Sequence, residues 1–131
     1  MSRANLMRAV AITGSAALLA GCASAQQPEV TKVATAFENP SGDPEARCDL
    51  LAPATLKAFE KHQTSPCGDA VAGLSLDGGS VRSVQIWGGD AQVRMNGDTV
   101  FLTETGAGWR VTAAGCTSQG EAPYDCEVEG P

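Results

Sequence analysis

The stretch RSVQIWGGDAQVRMNGDTVFLTETGAGWRVTA, residues 82–113, alternates between short runs with apolar side chains at every second position and connectors that carry glycine. Val84 and Ile86, then Ala91, Val93 and Met95, then Trp109 and Val111 recur at period two, the spacing that places side chains on one face of a strand. Four strands are expected, over Arg82–Trp87, Ala91–Met95, Thr99–Thr103 and Trp109–Ala113. The connectors Gly88-Gly89-Asp90, Asn96-Gly97-Asp98 and Glu104 to Gly108 are short, so consecutive strands should pair as antiparallel hairpins. The result is a meander with one apolar face.

Upstream the pattern changes to short helical pieces. Asp43 before Pro44 reads as an N-cap with proline in the first turn, leading into Glu45–Leu51. Pro53 interrupts, and a second helix should run to Lys61. Ser65-Pro66 repeats the signal ahead of Cys67–Leu74, and a short helix is expected over Val30–Phe37, closed by the turn formers Asn39-Pro40-Ser41-Gly42. Helices first and an antiparallel sheet afterwards make an α+β fold in which the helices cover the apolar face.

Of the five cysteines, Cys48, Cys67, Cys116 and Cys126 lie in this region. An even number fits two disulfides outside the reducing cytoplasm. Four cysteines allow three pairings; proximity along the chain favours Cys48–Cys67 with Cys116–Cys126, although sequence alone does not fix it. No metal site is expected, since there is no C-x-x-C pair and His62 is the only histidine.

The N-terminus has a cationic start, Met1 to Arg8, then an apolar run of about twelve residues, Ala9 to Ala20, then Leu19-Ala20-Gly21-Cys22. A helix needs on the order of twenty apolar residues to cross a bilayer core, so the run reads as a signal-peptide core and not as a span. Leu19-Ala20-Gly21-Cys22 resembles the bacterial lipobox. That resemblance implies acylation of the Cys22 thiol and cleavage before it, giving a lipid-anchored protein on the extracytoplasmic face of a cell membrane. There is no twin-arginine pair, so export of an unfolded chain is the default. Removing Arg3 and Arg8 leaves seven basic against 15 acidic residues, a formal charge of −8. Such a surface repels nucleic acid and anionic headgroups, so no nucleic-acid partner is expected and membrane attachment has to come from the lipid.

Capped helical pieces followed by a glycine-turned meander ending in Gly108-Trp109-Arg110-Val111 resemble the NTF2-like, or cystatin-like, class, and the stretch from Asp98 to Cys116 is similar to small bacterial lipoproteins of that class. The resemblance covers residues 43–116 and implies a curved sheet over a cone-shaped cavity. The chain then divides into a signal peptide, 1–21; an anchor and tether, 22–42; the α+β domain, 43–116; and an acidic, disulfide-tied extension, 117–131.

Candidate chemistry is sparse. His62 has no obvious carboxylate partner and reads as a solvated helix-end residue. Tyr124 sits in a polar tail and reads as structural, while Asp69, Asp77, Asp90 and Asp98 fall at turns or helix starts, where aspartate serves the backbone. The glycine runs lack phosphate-loop or dinucleotide spacing, and there is neither a G-x-S-x-G elbow nor an S-x-x-K motif. No catalytic residue and no cofactor is assigned. The expected function is a non-catalytic module that binds a small apolar ligand or an envelope protein, with Met95 and Trp109 lining any cavity. An enzyme using that cavity, marked by a buried Asp of raised pKa, and a structural accessory of an envelope complex are the alternatives.

Overall fold

A computed structural model describes residues 20–131, with side chains from Ser24 onward. The signal segment before Ala20 lies outside the described residues, and Cys22 is described only as backbone. The elements are α1 (Ala20–Glu38), α2 (Pro44–Cys48), α3 (Pro53–Gln63), α4 (Cys67–Ala72), β1 (Val81–Trp87), β2 (Asp90–Met95), β3 (Thr99–Thr105), β4 (Gly108–Gln119) and β5 (Ala122–Glu129). No helix among them is long and apolar enough to cross a membrane.

The fold is α+β, with one sheet in the order β1-β2-β3-β4-β5 and every neighbouring pair antiparallel. The expected meander is there, but it has five strands and not four. The fifth comes from the acidic extension: Gly120, at φ +71°, turns the chain, and Tyr124, Cys126 and Val128 alternate with Asp125, Glu127 and Glu129. Val128 alone of these is buried, so the acids face water from the edge of the sheet.

Ala91, Val93, Met95, Val100, Leu102, Trp109, Val111 and Ala114 point to the covered face and form one core with Val30, Val33 and Phe37 of α1, Phe59 of α3 and Val71 of α4. Burying a side chain such as Phe37 or Phe59 contributes about 1.5–3 kcal/mol each. In β4 the inward positions step from Val111 to Ala114, because the register against β3 shifts between Phe101 and Leu102. One extra residue there acts as a β-bulge, bends the strand and re-aims the residues beyond it.

Helix α2 begins as read: Asp43 accepts from the Ala46 N–H at 2.9 Å, with Pro44 in the first turn. The Cys48–Cys67 disulfide ties α2 to α4, and Cys116–Cys126 links directly opposed residues of β4 and β5. Both are the pairings that proximity favours. An isolated bridge between Leu51 and Val111 then fastens the helical half to the sheet, with Ala52 N–H donating to Val111 O and Val111 N–H to Leu50 O.

Helix α1 is longer than the expected Val30–Phe37. It takes in the small, polar residues read as a tether and continues through Pro28. Residues 24–29 are exposed or half-exposed and Val30 is the first buried one, so the helix projects beyond the core before it packs.

Candidate functional site

The bend in β4 positions the one buried polar centre of note. Asp98, in the β2–β3 turn, accepts from its neighbour Thr99 N–H at 2.7 Å through Oδ1. It also reaches across to β4, where Cys116 N–H donates to Oδ1 at 2.8 Å and Gly115 N–H to Oδ2 at 2.7 Å. Gly115 allows this with φ +65°, and a Cβ there would crowd Glu127 and Leu76 at 2.9–3.0 Å. Asp98 is therefore a turn residue, as its sequence position suggests, but two of the three backbone N–H groups it accepts from are distant along the chain.

Behind Asp98 lies Glu38, the last residue of α1, only 2 % exposed. Neither of its oxygens has a donor to accept from. Burial pushes its carboxyl up from 4.5 to about 9, and Asp98 adds to the shift as hydrogen-bond acceptor and as a like charge; Arg47 opposes and Asp77 adds a little. Glu38 is thus a neutral acid at pH 7, and its proton is what makes it a fitting neighbour for Asp98. Arg47 is buried on the other side, where Nε donates to Phe37 O at 2.7 Å and the guanidinium lies 5.6 Å from the Phe37 ring centre. One of its terminal nitrogens has no hydrogen-bond partner, and burial lowers its pKa while Glu38 opposes that.

In front of Asp98 a cleft of about 590 Å³ opens between the α4–β1 loop and the β4–β5 hairpin. Asp77, Asp98, Asp125 and Glu127 line it, together with the Cys116–Cys126 bridge, Ser75 and Thr117; no basic side chain does. A second cleft, about 390 Å³, lies between α3 and β5, and His62, Asp125, Glu127 and Glu129 are among the residues that line it. The sequence shows no obvious carboxylate partner for His62; in the structure acidic side chains line the same cleft. Among the described residues no three His, Cys, Asp or Glu side chains converge to hold a metal ion.

Comparison with protein-family models, with characterised proteins and with solved structures gave no match.

Met95 and Trp109 are 6 % and 3 % exposed and belong to the packed core; neither lines either cleft. Trp87 is at the rim, 51 % exposed. Tyr124 meets Phe101 edge-on at 5.2 Å and stands 3.5 Å from the Gln92 amide, which gives it a packing role on the outer face of the sheet. Sequence reasoning missed Glu38 and Arg47 as buried groups. The only local signal for them was a carboxylate ending an apolar helix and an arginine beside a cysteine.

Proposed function

We propose that the chain is an exported bacterial lipoprotein, held by lipid on Cys22 at the extracytoplasmic face of a cell membrane, whose domain is a non-catalytic interaction module. The observation that carries this reading is the pairing of all four cysteines of the domain. Two disulfides suit an oxidising compartment, and they leave Cys22, at the lipobox position, as the fifth cysteine. The order of short helices followed by an antiparallel meander supports placing the domain in the NTF2-like class.

The site geometry favours binding over chemistry. A buried carboxyl of raised pKa is the mark of a general acid, but Glu38 does not line the cleft, and the Asp98 oxygens in front of it are already taken by backbone N–H groups. Their work is to hold α1, the β2–β3 turn and the bend of β4 together. The packing of Met95 and Trp109 favours contact with an envelope protein over an apolar ligand held inside the fold, and a cleft lined by four carboxylates suits a basic surface.

Mass spectrometry of the N-terminal peptide from the membrane fraction tests the anchor: the expected product begins at Cys22 and carries acyl mass, and an unmodified mature Cys22 refutes the reading. Cross-linking in intact cells from a photoreactive residue at Glu127 should capture a basic envelope protein, and capture should weaken when Asp77 and Asp125 are both changed to Asn.

A further inference from the structure

The antiparallel meander has two ends. At one lie the β2–β3 turn and Gly78, joined by Gly97 N–H donating to Gly78 O at 2.9 Å. At the other lie the tips of the β1–β2 and β3–β4 hairpins, held together by Glu104 N–H donating to Gly89 O at 2.7 Å and by the Thr103 hydroxyl donating to the same oxygen at 3.2 Å. Helix α1 runs from the second end to the first. A Cβ at Gly108 would stand 3.6 Å from Glu29 Oε1, whereas one at Gly78 would stand 3.2 Å from Glu38 Cγ.

Cys22 precedes Glu29 by seven residues, so at 1.5 Å per residue the helix carries it about 10 Å past the hairpin tips. The projecting turns of α1 point out from that same end. With a diacylglyceryl group on Cys22, the helix start is held at the headgroup level, and tilting α1 toward the bilayer on its sheet side brings the tips into the interface. The only exposed large hydrophobic among the described residues is there: Trp87, at the base of the Gly88-Gly89 turn. An added Cβ at Gly88, Gly89 or Gly106 would meet no atom within 4 Å, so no other part of the domain covers these tips. Indole at the boundary between water and hydrocarbon is a favoured placement, with the ring in the apolar zone and the N–H toward water.

We propose that the β1–β2 and β3–β4 hairpin tips are the membrane-facing end of the domain, with Trp87 seated in the lipid interface. This rests on the lipoprotein reading and adds an orientation to it: the acid-lined cleft at Asp98 then opens at the far end, away from the bilayer. Glu29, Asp90 and Glu104 are exposed near the seated end and outnumber Arg110, whose guanidinium lies beside Gly108 there, so an uncharged headgroup surface suits it better than an anionic one.

The chain has two tryptophans, and Trp109 is buried, so Trp109→Phe makes Trp87 the sole indole. Lipidated Trp109→Phe protein, purified in detergent and reconstituted into phosphatidylcholine vesicles with spin-labelled acyl chains, should show blue-shifted, quenched Trp87 emission. Phosphatidylglycerol in the vesicles should lessen both effects. If Trp109→Phe does not fold, the difference between wild type and Trp87→Phe supplies the same signal. An indole placed at the opposite end of the sheet by Gln119→Trp, in Trp87→Phe protein, should stay unquenched. Protein that floats with the vesicles and carries acyl mass on Cys22, yet shows Trp87 emission like that of the soluble Cys22→Ala form, overturns the seat alone. Protein that does not float and lacks acyl mass overturns the anchor, and the seat with it.

Discussion

Replacing Glu38 by Gln removes a proton that the folded chain holds and the unfolded chain gives up. The Glu38 pKa is raised to about 9 by burial and by Asp98, against an ordinary 4.5. Between those values the native state binds one proton more than the unfolded state, so unfolding free energy falls as pH rises. The stabilisation is fully present below 4.5 and is lost progressively up to about 9. The slope inside that window is about −1.4 kcal/mol per pH unit for one proton, which caps the loss from pH 5 to pH 8 at about 4 kcal/mol. Glutamine keeps the shape and an N–H donor toward Asp98 without titrating. Urea unfolding of oxidised Cys22→Ala protein, with and without Glu38→Gln, should therefore give a stability difference that moves in favour of the Gln variant as pH rises from 5 to 8. Taking the difference cancels the other carboxylates. A difference that is flat with pH, or that moves the other way, refutes a buried neutral Glu38.

Gly115→Ala should destabilise the domain by about 2 kcal/mol, since alanine is strained at positive φ and its methyl would crowd Glu127 and Leu76; thermal unfolding followed by circular dichroism measures it. Met95→Phe should cost about 1–3 kcal/mol by overpacking a core in which Met95 Sδ already lies close to the Gly78 backbone. A neutral or stabilising result in urea unfolding would show spare room beside Met95.

Four strands are legible because each alternates apolar with polar residues between glycine turns. The fifth carries the same alternation in Tyr124, Cys126 and Val128, but three acids occupy the intervening positions and make the segment read as a solvated tail. Strand identity there depends on the partner β4, whose length no local pattern sets. The projecting start of α1 is hidden for the opposite reason: small and polar residues such as Ala25 and Gln27 bury no apolar stripe, so no hydrophobic period marks the helix there. The polar centre is long-range. Glu38 and Asp98 are separated by most of the domain, and only the closure of α1 over the sheet turns a helix-end glutamate into a buried acid.

Both disulfides join cysteines that are consecutive within the domain, 19 and 10 residues apart. Under the proposed export, with the chain emerging N-terminus first, order of appearance is sufficient to specify bonding. When Cys67 appears, Cys48 is the only domain thiol before it, and if that pair closes first, Cys116 and Cys126 have only each other. The correct covalent topology then needs a thiol oxidant but no reshuffling of wrong bridges, and each half of the protein is locked without waiting for the other.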